Sequence, residues 1–154
     1  MNEPPSRTGR LATFGYSGLL HALALREFLG SDVDIVVDVR LRAWSSNPAF
    51  SAATPRTVEA AGYEYMHLPE LGNAEYRTGG MRIANLEAIE TVLDLVAAGQ
   101  TVALMCACAD LATCHRLVLA EEAIRRVPSL EVWLVPARPR DVADAMDRAL
   151  SGAS

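Results

Sequence analysis

The chain has 154 residues, 51% of them hydrophobic, and a formal net charge of −5. That length suits one domain, and the apolar content is too high for disorder and sufficient for a core. The negative total argues against a generic nucleic-acid coat, which needs a basic face, and leaves room only for a local basic cleft.

No apolar run is long enough to span a bilayer, and the first residues, Met1 to Arg7, lack the apolar stretch of a signal peptide. The expectation is a cytoplasmic protein without a membrane partner. Lysine and arginine together number 14, and none is lysine. This excludes Schiff-base chemistry and the lysine of a Walker loop. An anion would be held by planar, bidentate guanidinium groups. A bias towards arginine explains the missing lysine equally well.

Residues 1–10 are polar and read as a flexible leader to a single domain over 11–150. Leu11–Phe14 is a short strand, followed by a turn at Gly15–Gly18 in which Ser17 can cap the next helix. Apolar spacing predicts that helix over Leu19–Leu29, closed by Gly30. Val33–Val39 is β-branched and nearly all apolar, as in a central parallel strand. A loop from Arg40 to Phe50 leads to a helix starting at Thr54-Pro55 and ending at Gly62.

Tyr63–Leu68 alternates like a strand, and a long loop occupies 69–80. An amphipathic helix is predicted over 82–98, a buried strand over Thr101–Cys106, a loop over Cys108–Cys114 and a helix over His115–Arg126. Leu130–Val135 is a last strand and Arg140–Leu150 a last helix. The alternation predicts a three-layer, Rossmann-like α/β fold: a mostly parallel five-stranded sheet with helices on both faces.

In such sheets ligands bind beyond the carboxyl ends of the strands. Polar residues collect there, and the two longest loops leave from the same edge. Ser17 can offer its hydroxyl and backbone N–H groups to an anion, or simply cap a helix. Asp38 and Arg40, two apart, point the same way on a strand. They form either a pair that aims Arg40 at a ligand or a purely structural pair. Arg42 and Arg116 are further anion-binding candidates.

Cys106 closes a strand and precedes a helix, a place that favours thiolate character; it is equally a small buried residue. Cys114 stands at the helix start, so the two cysteines are expected to meet as a reversible dithiol. An odd cysteine count rules out a disulfide scaffold. The Cys-X-Cys-X5-Cys-His spacing is no standard zinc pattern, so no metal ligand set is assigned and no cofactor is inferred. His67 is the general acid–base candidate, with a structural histidine as the alternative. His21 and His115 look less useful.

In order, Thr13-Phe14-Gly15-Tyr16-Ser17, Asp38-Val39-Arg40, Ser46-Asn47-Pro48 with Phe50, Tyr65-X-His67-X-Pro69-X-Leu71-Gly72, and Leu104-Met105-Cys106-Ala107-Cys108 followed by Cys114-His115-Arg116 resemble the motifs of the domain of unknown function 488 family. The likeness spans about residues 11 to 136. Tyr16 stands where the family has histidine, and Cys108 where it has glutamate. The resemblance implies a fold and a site in these motifs, and no defined activity.

The leading expectation is an enzyme acting on a phosphate-bearing or nucleotide-like substrate. Cys106, Cys114, His67 and Asp38 would be catalytic, and Ser17, Tyr16, Arg40, Arg42, Asn47 and Arg116 would bind the substrate. The alternatives are a non-catalytic thiol-redox or metal-binding module using Cys106 and Cys114, and a nucleic-acid processing protein. All three require arginine, histidine and cysteine side chains to converge on one edge of the sheet.

Overall fold

A computed structural model describes residues 9–16, 19, 21–107, 114–135, 147 and 150. Five strands, β1 (Leu11–Gly15), β2 (Ile35–Asp38), β3 (Glu64–His67), β4 (Val102–Cys106) and β5 (Val132–Leu134), form one sheet in the order β3-β2-β4-β1-β5. Every pairing is parallel, so the expected mostly parallel sheet is wholly so.

The described helices are α1 (Ala22–Leu29), α2 (Thr54–Ala60), α3 (Ile89–Ala97) and α4 (His115–Arg126). The first two supply Ala24, Leu25, Leu29 and Val58 to a core with Ala12, Phe14, Val36, Ala103 and Met105. The other two supply Ile89, Val92, Val96, Leu119 and Ala123 to a second core with Leu11, Val37, Leu104 and Cys106. The result is a three-layer α/β/α fold. Burying each large apolar side chain in these cores contributes about 1.5–3 kcal/mol.

The central strands are buried on both faces, which explains their near-continuous apolar sequences. Connections after β1 and β2 run over one face, and those after β3 and β4 over the other. Because the strand order interleaves these two sets, neighbouring loops part to opposite sides at the carboxyl edge, opening a crevice there.

Three boundaries differ from the expectation for local reasons. Helix α1 starts at Ala22, because His21 caps it, Nδ1 accepting from Ala24 N at 3.2 Å. The helix expected from residue 82 begins later: Asn85 accepts from Glu87 N and starts a short 3-10 turn, Leu86–Ala88, ahead of α3. Gly9 and Arg10, assigned to the leader, join the fold. Gly9 N donates to Val96 O at 3.3 Å, and Arg10 O accepts from Val102 N at 2.9 Å.

Ser17 and Cys108 lie outside the described residues, as does most of the helix expected over 140–150. Among the described residues, no helix is long and apolar enough to cross a membrane.

Candidate functional site

The carboxyl edge carries two side-chain clusters, one on each face of the sheet. Register explains the division. Asp38 of β2 lies opposite Met105 of β4, so Cys106 is one residue out of phase and points to the other face. The single cleft expected to unite Arg40, His67 and Cys106 is therefore divided by the sheet.

On the α1/α2 face, Asp38 is fully buried and its carboxylate accepts four hydrogen bonds. Oδ1 takes Arg40 N at 3.2 Å and Arg40 Nε at 2.8 Å. Oδ2 takes Arg40 Nη2 and Tyr65 Oη, each at 2.6 Å. Arg40 also donates Nη1 to Tyr16 Oη at 3.1 Å and to Phe50 O at 2.7 Å, and Nη2 to Thr54 Oγ1 at 3.2 Å.

A guanidinium has five N–H donors, and here each finds an acceptor inside the protein. Arg40 thus has no N–H to offer an oxyanion in this arrangement. Burial alone would weaken its charge, but Asp38 more than compensates and holds its pKa above the ordinary arginine value.

Tyr16 stacks on Phe50, with ring centroids 4.1 Å apart, and the Arg40 guanidinium lies 5.1 Å from the Tyr16 ring centre. Asn47 closes the same loop, donating Nδ2 to Leu19 O at 2.7 Å and accepting from Ala49 N at 3.1 Å. Arg42 is exposed on that loop.

On the α3/α4 face, Cys106 Sγ and Cys114 Sγ are 2.9 Å apart and almost wholly buried. Cys114 is the N-cap residue of α4, where the helix dipole favours negative charge. Arg116, on the first turn, sends Nε to Cys106 Sγ at 2.9 Å and towards Cys114 Sγ at 3.4 Å. Its side chain is among the most deeply buried in the protein. Burial opposes the cation, yet Cys106 and then Cys114 raise its pKa above the ordinary value. A guanidinium so enclosed needs compensating negative charge, and these sulfurs are ionisable partners.

The clusters touch through backbone. His67 Nε2 donates to Arg40 O at 2.7 Å, and His115 Nε2 donates to Val39 O at 2.8 Å. Because a carbonyl only accepts, both hydrogen bonds require a proton on Nε2. His115 Nδ1, the other ring nitrogen, lies 3.8 Å from Cys114 Sγ. The donor atoms of Cys106, Cys114 and His115 lie within 4.8 Å of one another, a cluster able to hold a metal ion.

Sequence reasoning undervalued His115. It shares a stripe with Leu119 and Ala123 at the i, i+4, i+8 spacing, and all three are buried; that periodicity was the available signal.

A model of the family described as Domain of unknown function DUF488 matches residues 25–82 and 73–123, more than half of the chain. The chain belongs to this family. No solved structure matches it. In this DUF488 protein the matched region holds Asp38, Arg40, Tyr65 and His67 on one face, and Cys106, Cys114, His115 and Arg116 on the other. Tyr16 lies before the matched region and is a buried ring against Phe50 and Arg40.

Proposed function

We propose that this DUF488 protein is a thiol-redox protein in which Cys106 and Cys114 cycle between dithiol and disulfide. The observation that carries the reading is the 2.9 Å approach of the two sulfurs under the Nε of Arg116. Closing to a covalent bond of about 2.05 Å requires only a small movement. Arg116 and the start of α4 stabilise a thiolate at this place.

The burial of both sulfurs selects small oxidants, and a hydroperoxide is the chemical class that fits. The Cys106 thiolate attacks one peroxide oxygen and the O–O bond breaks. The departing oxygen takes up a proton and leaves as water or an alcohol, and Cys106 becomes a sulfenic acid. The Cys114 sulfur then attacks the Cys106 sulfur. Its proton and the sulfenic hydroxyl leave together as water, and the S–S bond remains. Two electrons pass from the sulfurs to the peroxide, and a thiol reductant returns them.

A reversible pair of this kind fits a reducing compartment such as the cytoplasm. A phosphate-bearing substrate has less support, because the N–H groups of Arg40 are engaged within the protein and Nε of Arg116 is directed at sulfur.

Replacing the resolving sulfur tests the scheme. Under hydrogen peroxide, Cys114→Ser should halt at a Cys106 sulfenic acid that a carbon-acid probe traps. An unmodified Cys106 thiol in that folded variant would count against the reading.

A further inference from the structure

We infer that Cys106 Sγ, Cys114 Sγ and His115 Nδ1 form a three-coordinate site for a soft monovalent metal cation, with Cu(I) the ion that suits it. The inference uses the same two sulfurs as the redox reading, and adds His115, which that chemistry does not need.

Three observations support it. The three donor atoms lie within 4.8 Å of one another, and all three residues are buried. His115 is oriented as metal-ligating histidines are. Nε2–H donates to Val39 O at 2.8 Å, which fixes the tautomer and leaves Nδ1 as the ligand atom facing the sulfurs. Thiolate sulfur together with imidazole is a soft donor set, of the kind that selects Cu(I) or zinc.

Charge then separates the two metals. Among the described residues of the site, two thiolates, one monovalent cation and the Arg116 guanidinium at 2.9 Å from Cys106 Sγ sum to zero. A divalent ion would leave that same set of groups with a net positive charge while buried, which is unfavourable. Each sulfur that ligates releases its proton to bulk water. A metal–sulfur bond of about 2.3 Å would place two sulfurs of a three-coordinate site roughly 4.0 Å apart, so binding must spread them from 2.9 Å. Metal binding and disulfide formation therefore move the pair in opposite directions and exclude each other.

The test titrates the reduced, full-length protein with Cu(I) under anaerobic conditions against a chromophoric Cu(I) chelator. X-ray absorption is then recorded at the copper edge. The expected result is one copper per chain with two sulfurs and one nitrogen in its coordination shell. His115→Gln removes a ligand and should weaken uptake by about 100-fold or more, since even losing a partner that only orients a ligand costs about 10–100-fold.

No uptake against the chelator, a three-sulfur shell that recruits Cys108, or equal affinity in a folded His115→Gln would each overturn the inference. Should that variant fail to fold, the coordination shell of the unaltered protein decides alone. Disulfide formation is measured in parallel on metal-free protein. Oxidation without copper uptake removes the metal site and leaves the redox reading standing; copper uptake without oxidation does the reverse.

Discussion

Arg116 Nε lies 2.9 Å from Cys106 Sγ, from the first turn of the helix that Cys114 caps. In the proposed redox cycle this contact favours a thiolate in the reduced pair, and the charge it faces is lost when the sulfurs join, since a disulfide is neutral. The disulfide should therefore be comparatively easy to reduce, as where a reduced form is stabilised.

Replacing Arg116 by Gln removes that bias. The reduction potential of the Cys106–Cys114 couple should fall by about 30 mV or more, because 30 mV corresponds to about 1.4 kcal/mol for two electrons. Equilibration in glutathione buffers of graded composition measures it. An unchanged potential in the folded variant would mean that Arg116 does not favour the thiolate.

Asp38 and Arg40 are predicted to act in stability. Asp38→Ala leaves a buried guanidinium without its counter-charge, and should cost about 3–5 kcal/mol in urea unfolding. Tyr65→Phe removes one donor from the carboxylate while the ion pair remains, and should cost about 1.5–3 kcal/mol. Equal losses in the two variants would contradict the geometry at Asp38 Oδ2.

The division between what was legible in the sequence and what was not follows the range of each signal. Strand and helix order was readable because periodicity is local: β4 and α4 were expected at the places they occupy, as far as Cys106 and Arg126. The meeting of Cys106 with Cys114 was also legible, since one short connection joins a strand end to a helix start.

The relation between Arg40 and Cys106 was not legible. It depends on the parity of a register between strands distant in sequence, and a shift of one residue reverses the face. The complete engagement of Arg40 was hidden for a similar reason. Its acceptors come from Tyr16, Asp38, Phe50 and Thr54, which no single motif brings together.

High pH should loosen the α1/α2 face. Burial pushes Tyr63 up to about 12, against the opposing influence of Arg26, and its hydroxyl donates to Gly30 O. Burial first, and then the hydrogen bond to Asp38, also raises Tyr65. A raised pKa means that the folded state favours the neutral phenol. The stabilisation is complete below the unfolded value of about 10 and is lost as pH rises through about 12. Phenolate absorbance and denaturant midpoints followed together from pH 9 upwards should show late ionisation of these two tyrosines, coincident with falling stability. Ionisation of all tyrosines near pH 10 in a folded chain would oppose this account.

Gly9 is packed tightly into the domain. A Cβ there would stand 2.0 Å from Gln100 O and 2.6 Å from Val96 O, both of them backbone atoms that cannot rotate away. Gly9→Ala should destabilise the protein by about 1–3 kcal/mol, the cost of forced overpacking. A thermal melt compares the variant with the parent. Unchanged stability would contradict this tight packing of Gly9.

Peptide mapping of the peroxide-treated protein, with remaining thiols blocked before digestion, examines the sulfur pair most directly. The structure predicts one cross-linked species joining the Cys106 and Cys114 segments, reversed by a thiol reductant. Blocked thiols at both positions under excess peroxide, or a link from either one to Cys108 instead, would contradict the proposed redox cycle.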